Sequence, residues 1–179
     1  MRMSSELIER QYKDSEDIRE YLMNQKEITF AEYVNGIYTK VLVVSIASYY
    51  EKRVIEALIC YAQKSVGKDK RLVSLIEKKL ANRQYHTFFA WDKKNTNMFW
   101  SLFGEEAKKR VRMEIDSNPM LKEAEENFIS LGRERNRMVH ENFVNFSSNY
   151  TKEEIYKMYK SANNFISFLE KFLDPCYGM

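Results

Sequence analysis

Apolar residues recur along most of the chain at the three- and four-residue spacing of helices that bury one face. The predicted helices cover, approximately, residues 4–25, 36–66, 70–82, 105–115, 119–143 and 152–173. Short helical pieces are predicted between residues 85 and 104, where aromatic residues are frequent. Because neither an internal repeat nor a linker interrupts this pattern, we predict one all-α domain over residues 1–179, a bundle of about five or six helices.

Capping signals support the ends of the later helices. Asn95 or Thr96 is a candidate cap within the aromatic stretch, and Pro119 suits the first turn of a helix. Thr151 and Glu154 have the spacing of a capping box at the start of the last helix. That helix carries an apolar stripe formed by Ile155, Met158, Tyr159, Ala162, Phe165, Ile166, Leu169 and Phe172.

Composition agrees with a helical class and narrows the cellular setting. The chain has only 5 Gly and 2 Pro, which favours long helices with few connections. Its net charge of +3 is compatible with an anionic partner but does not by itself indicate one. Cys60 and Cys176 form no disulfide framework and no metal-ligand spacing. Neither a signal peptide nor a run of about 18 apolar residues is found, so we expect a soluble cytoplasmic protein without a membrane partner.

The helix predicted over residues 119–143 has a polar residue on its apolar face. That face consists of Leu121, Ala124, Phe128, Leu131, Met138 and Val139. Arg135 falls in the middle of it, and a buried guanidinium must be paired to offset its desolvation. Asn136 and His140, four residues apart, share the neighbouring flank, where they are expected to form a rim.

The helix predicted over residues 36–66 has a matching irregularity. Its apolar stripe consists of Ile37, Val41, Val44, Ile55, Leu58, Ile59 and Ala62. Ser48 and Glu51 complete this stripe near its centre, and a carboxylate there requires a cation, for which Arg135 is the candidate. Removal of Arg135 is then expected to cost roughly 3 kcal/mol of stability. Two polar interruptions facing one core indicate a single functional site, or alternatively a structural salt bridge that fixes helix register.

The stretch "RNRMVH" resembles the Rx4-6H signature of HEPN (higher eukaryotes and prokaryotes nucleotide-binding) domains, many of which are ribonucleases. Arg135 and His140 are the two defining residues, and the polar Asn136 follows the arginine, as in those families. The segment "VVSIASYYEKRVIEAL" is similar to the early helix of the RiboL-PSP-like group, which carries an acidic residue at the position of Glu51. The resemblance covers residues 36–173.

The resemblance implies a homodimer in which two motifs face one cleft, and RNA cleavage that needs neither metal nor cofactor. An imidazole can take a proton from a ribose 2′-hydroxyl or give one to the leaving 5′-oxygen, which is the role implied for His140. Arg135 would stabilise the charge developing on the phosphoryl oxygens. Asn136 would orient the phosphate or the imidazole, and Glu51 would hold the guanidinium in place.

Three functions from different classes remain open. The first is an endoribonuclease, a toxin or anti-phage defence effector, with RNA as substrate and a cognate antitoxin or defence-system protein as partner. Arg133 and Arg137 flank the motif and are predicted to contact the RNA. The second is a catalytically silent HEPN domain that binds RNA or acts as a scaffold. The third is a plain helical interaction domain.

The remaining candidates have simpler interpretations. His86 stands alone beside aromatic residues, which favours a structural or surface role. The aromatic residues could stack on unpaired bases, but packing in the core or at a dimer interface is favoured for Phe88, Phe89, Trp91, Phe99, Trp100 and Phe103. The basic stretch "KKRVR", residues 108–112, could follow a phosphate backbone or form a solvated helix face.

Overall fold

A computed structural model describes residues 5–66, 70–81 and 85–174, and these residues form an all-α bundle. The elements in chain order are α1 (Ser5–Asn24), α2 (Ile28–Val66), α3 (Lys70–Ala81), a 3₁₀ turn (Tyr85–Thr87), α4 (Asn97–Ser101), α5 (Glu105–Ser117), α6 (Pro119–His140) and α7 (Lys152–Phe172). The prediction of an all-α class is confirmed. Among the described residues there are seven α-helices, and the shortest, α4, is one of the short helical pieces predicted within the aromatic stretch.

The long helix α2 begins at Ile28, eight residues earlier than the predicted residue 36. It follows α1 after a short connection in which Lys26 has a positive φ of 64°. The two helices then pack against each other. The sequence did not predict this first part of α2 because its large apolar residues do not form a buried stripe. Ile28, Phe30 and Tyr33 are all exposed.

The later helices begin where the capping signals place them. Asn118 accepts a hydrogen bond from the Leu121 amide at 3.2 Å, and Pro119 follows at the first position of α6. Thr151 and Glu154 form the predicted capping box of α7. The α7 stripe is buried, apart from the partly buried Phe172, and packs against α6 and α2.

The core is largely aromatic at the junction of α2, α6 and α7. Tyr50, Phe128 and Phe165 are buried there, and the Tyr50 hydroxyl donates to the Tyr159 carbonyl oxygen at 2.7 Å. All six aromatic residues considered for base stacking pack in or against the core, which supports the packing interpretation. One of them, Trp91, also lines a cavity described below.

Buried polar contacts tie the N-terminal helix to this core. Lys152, buried at the start of α7, forms an ion pair with Glu16 and donates to the Ser15 hydroxyl at 2.9 Å. Cys60 is an exposed free thiol on α2, whereas Cys176 lies outside the described residues. No helix in the described part of the chain has both the length and the apolar character needed to cross a bilayer.

Candidate active site

A cavity of about 570 Å³ opens between α2, the 3₁₀ turn and α6. Its volume falls within the range of about 300–1,000 Å³ that is usual for small-molecule sites. The lining residues are Ala47, Tyr50, Glu51, Tyr85, His86, Trp91, Phe128, Leu131, Gly132, Arg135, Asn136, Val139 and His140. The structure therefore brings together four of the predicted site residues, Arg135, Asn136, His140 and Glu51, and adds His86 to them.

The position of Arg135 differs from the prediction. The buried residues of α6 are Leu121, Ala124, Glu125, Phe128, Ile129, Leu131, Glu134 and Met138. Glu134, not Arg135, thus occupies the buried polar position, while Arg135 is half-buried and faces the cavity. Val139, predicted to be on the apolar face, is 61% exposed. The helix is rotated relative to the prediction because it packs against α2, α5 and α7 and so buries more than one stripe.

The face of α2 also differs from the prediction. Its buried residues are Ala31, Thr39, Leu42, Val43, Ile46, Tyr50, Val54 and Ala62. Ile37 and Val44, assigned to the stripe, are 37% and 41% exposed, and Ser48 is exposed as well. Glu51 is half-buried and turned toward the cavity. This helix contacts α1, α3, α6 and α7, so its buried surface is too broad for a single stripe to describe.

The predicted ion pair between Glu51 and Arg135 is absent. Both side chains line the cavity, but within the described residues no hydrogen bond or ion pair joins them. Arg135 instead donates from a terminal guanidinium nitrogen to the Asn136 Oδ1 atom at 3.2 Å. The Glu51 carboxylate has no hydrogen-bond partner in the described segments, so its charge is available to the cavity.

His140 is the last residue of α6; it is exposed, as expected for a rim position, and it lines the cavity. The chain turns sharply after it, because Asn142 has a positive φ of 70°. Asparagine tolerates this left-handed conformation better than most residues. The Asn142 side chain also accepts from the Val144 amide at 3.2 Å, which stabilises the turn next to the imidazole.

Aromatic side chains form the walls of the cavity. Tyr85 is buried, and burial raises the pKa of its phenol well above the ordinary value; Glu51 raises this pKa further, while Arg135 opposes the shift. The phenol is therefore neutral at physiological pH. Tyr85 packs against Phe89 and Trp91, whose ring centroids lie 5.6 and 5.9 Å from its own.

A close contact attaches this aromatic wall to α6. A Cβ atom built on Gly132 would lie 1.9 Å from the Trp91 ring, so only glycine allows the indole to approach the helix. Arg133 reinforces the contact by donating to the carbonyl oxygens of Trp91 and Lys93, at 2.8 and 2.9 Å. The sequence did contain a signal for this contact, because a glycine in the interior of a helix often has a packing reason.

Glu134 holds the loop that follows the motif. Its carboxylate accepts from Arg137 at 2.8 Å, from the Ser148 hydroxyl at 2.9 Å and from the Asn149 amide at 3.2 Å. Arg137 also donates to Glu141 and lies 5.3 Å from the Phe146 ring centroid. Arg137, like Arg133, therefore lies outside the cavity lining with its guanidinium already engaged.

A second buried carboxylate, Glu125, connects α6 to α4 and α5. It accepts from the Thr96 amide at 2.8 Å, from the Thr96 hydroxyl at 2.6 Å and from Arg112 at 2.9 and 3.1 Å. Thr96 is the residue before α4, but its hydroxyl bonds Glu125 instead of capping that helix. Arg112 and Lys108 of the basic stretch are both paired with carboxylates, which favours the interpretation of that stretch as a helix face.

Comparison with known proteins gives one family match. The family model described as RiboL-PSP-HEPN matches residues 9–174, which include most of α1 as well as the segment that carries the resemblance. No match was found among curated proteins or among solved structures.

Proposed function

This chain belongs to the RiboL-PSP-HEPN family, and on that premise we propose that it is a metal-independent endoribonuclease that cleaves RNA through the ribose 2′-hydroxyl. The observation that carries the proposal is the convergence of Arg135, Asn136 and His140 on one cavity, where, among the described residues, Arg135 and Asn136 bond only each other and His140 has no hydrogen-bond partner. Polar groups that are exposed in a cavity and unused by the fold are available to a ligand.

The residue types suit this reaction. The His140 imidazole transfers a proton during attack of the 2′-oxygen on phosphorus or departure of the 5′-oxygen. Arg135 donates to the phosphoryl oxygens as negative charge develops on them. Asn136 accepts from Arg135 at 3.2 Å and thereby orients the guanidinium, leaving its amide nitrogen to bind the phosphate. The products are a 2′,3′-cyclic phosphate and a 5′-hydroxyl.

Glu51 supports the site through its charge and not through direct contact. Its carboxylate and the Arg135 guanidinium both act on Tyr85, with opposite effects on the phenol pKa, so both charges lie close to the same cavity wall. We propose that Glu51 draws the guanidinium toward the cavity when no RNA is bound. Arg133 and Arg137 hold the segments on either side of the motif, and their predicted contact with RNA remains a prediction.

The proposal extends to partners and setting. We propose a cytoplasmic homodimer whose two motifs share a cleft, acting as a toxin or anti-phage defence effector with a cognate antitoxin or defence-system protein. Exposed apolar side chains at and after the end of α6 support association there, because Val139, Phe143 and Val144 are 61%, 46% and 77% exposed. Exposed apolar patches are typical of interaction surfaces.

Cleavage by purified protein tests the function directly. Single-stranded or loop RNA should be cut in the presence of EDTA, since neither proton transfer requires a metal. His140→Ala should lose about a hundredfold or more in rate, the usual contribution of a general acid or base. Because His140 is exposed, this variant should remain folded, which circular dichroism can verify.

Controls separate this mechanism from its alternatives. A substrate with 2′-deoxyribose at the cut site should survive, because it lacks the internal nucleophile. Loss of cleavage on addition of EDTA would contradict the mechanism. Equal cleavage by wild-type protein and His140→Ala would identify a contaminating nuclease. If wild-type protein binds a panel of RNAs without cutting any of them, the silent, RNA-binding HEPN function is favoured instead.

A further inference from the structure

The cavity follows one continuous face of α6. Its lining residues on this helix begin at Phe128, end at His140 and recur every three or four residues, so they extend along about 18 Å of the helix. Arg135, Asn136 and His140 occupy the last part of this face. Phe128 and Leu131 lie one to two turns before Arg135. The cavity is therefore an elongated groove with a polar end and an apolar end.

The opposite wall of the groove is α2, which runs antiparallel to α6. Near its beginning, Lys40 donates to the Phe143 carbonyl oxygen at 2.8 Å, just beyond the C-terminal end of α6. Further along α2, the Tyr50 ring packs against Phe128, with 5.8 Å between the ring centroids. The two helices thus run in opposite directions, and Glu51, the residue after Tyr50, lies toward the apolar end of the groove.

Aromatic rings enclose the apolar end. The Trp91 ring centroid lies 5.7 Å from that of Phe128 and 5.9 Å from that of Tyr85. The contact with Gly132 fixes the indole against α6, yet Trp91 is only half-buried and lines the groove. Unpaired bases of RNA stack on aromatic side chains that are held in this way. The apolar end of the groove is therefore suited to a base.

Glu51 is the charged residue at this end. Its carboxylate is half-buried and has no hydrogen-bond partner among the described residues. It raises the pKa of the Tyr85 phenol, which agrees with a position beside the aromatic wall. A carboxylate only accepts hydrogen bonds, and its two oxygens accept best from two parallel N–H donors. Of the four bases of RNA, guanine alone presents two adjacent N–H donors, at N1 and at the N2 amino group.

We propose that the apolar end of the groove binds a guanine base next to the scissile phosphate, and that Glu51 is the residue that selects it. The inference rests on the proposed ribonuclease function. The apolar end lies about 5–10 Å along α6 from Arg135, which is the span from the phosphate of a nucleotide to its base. The base stacks on Trp91 and donates from N1 and N2 to the carboxylate. Cleavage itself remains with the cleft that the two motifs of the dimer share.

Binding of nucleoside monophosphates tests the pocket without relying on cleavage. In isothermal titration calorimetry, GMP should bind about tenfold or more tightly than IMP, because inosine lacks the N2 amino group and so loses a hydrogen bond to a charged acceptor. AMP and UMP should bind no better than IMP. Equal affinities for GMP and IMP, or binding of neither at millimolar concentration, would overturn the proposal.

The variant Glu51→Gln identifies the selecting group. It keeps the size of the side chain but places an amide nitrogen opposite a guanine donor, so the ratio of GMP to UMP affinity should fall to near one. Glu56→Gln is the matched control, because this exposed carboxylate of α2 does not line the groove and the variant should keep the wild-type ratio. If Glu51 only positioned Arg135, Glu51→Gln would change GMP and UMP affinities by the same factor, and that result would overturn the proposal.

Cleavage separates this inference from the proposed function. Wild-type protein should cut RNA next to guanosine, and replacement of that guanosine by inosine should lower kcat/KM about tenfold or more. Glu51→Gln should lose this discrimination. Cleavage without preference for guanosine would overturn the inference and leave the ribonuclease function intact. Selective binding of GMP by a protein that cuts no RNA would support the pocket, and the proposed function alone would fail.

Discussion

Both sides of α6 carry polar side chains, but those on one side are buried and fully hydrogen-bonded, whereas those on the other are at least partly exposed and have few partners among the described residues. On the side facing the rest of the fold, Glu125 and Glu134 are 1% exposed and accept several hydrogen bonds each. On the side facing the cavity, Arg135 and Asn136 bond only each other, and His140 bonds nothing in the described part of the chain. The first set stabilises the fold, and the second is available for chemistry.

This difference shows that a polar residue in an amphipathic helix cannot be assigned to a site from its type alone. The carboxylates are buried because loops and neighbouring helices bring donors to them, and those donors come from distant parts of the sequence. The motif residues stay partly exposed because no such donor or acceptor from residues 5–66, 70–81 or 85–174 reaches them, apart from the contact of Arg135 with Asn136. Burial with complete bonding indicates a structural role, whereas a cavity position without partners indicates a functional one.

The largest effect on stability is expected at Glu134. Glu134→Ala removes the acceptor shared by Arg137, Ser148 and Asn149, and should lower the free energy of unfolding by about 2–4 kcal/mol, because the Ser148 hydroxyl and both Asn149 nitrogens lose their partner and Arg137 loses its buried partner and keeps its exposed pair with Glu141. Urea denaturation measures this loss. Glu123→Ala, an exposed position on the same helix, should change stability by less than about 0.5 kcal/mol. Similar small losses for both would show that the Glu134 network adds nothing.

A smaller but diagnostic effect is expected at Gly132. Alanine favours helix more than glycine by about 0.5–1 kcal/mol, so helix propensity alone predicts that Gly132→Ala is stabilising. The new Cβ would, however, lie 1.9 Å from the Trp91 ring, and relieving such an overlap costs about 1–3 kcal/mol. We therefore expect net destabilisation in urea. Trp91→Leu in the same chain should recover part of the loss. A stabilised Gly132→Ala protein would show that the indole does not rest on α6.

The smallest effect on stability is expected at Arg135. Since Arg135 is half-buried and its guanidinium bonds only Asn136 among the residues that the structure describes, Arg135→Ala should lower the free energy of unfolding by less than about 1 kcal/mol. The earlier expectation of roughly 3 kcal/mol assumed a buried ion pair with Glu51, which the structure does not contain. Thermal unfolding of Arg135→Ala beside Glu134→Ala checks the contrast. If Arg135→Ala lost as much stability as Glu134→Ala, the Arg135 guanidinium would have to be buried and paired in the core.

Most of the helices and their ends could be predicted from the sequence because these features depend on local interactions. The α7 stripe is one example, since α7 buries a single continuous face against α6 and α2. The capping box of Thr151 and Glu154 is another, since both of its hydrogen bonds lie within four residues. The predicted positions of Arg135 and Ser48 on buried faces were wrong. Because α6 and α2 each pack against three or more other helices, their buried residues do not form a single stripe.

The sequence by itself determined the helical class, the capped helix ends and the presence of an arginine, an asparagine and a histidine at the end of α6. These properties follow from the spacing of residues within each helix. The tertiary structure alone decided that Glu134 is buried while Arg135 faces the cavity, and that His86 joins His140 there. Both depend on contacts between segments far apart in the sequence, above all the fit of Trp91 against Gly132, which no local pattern encodes.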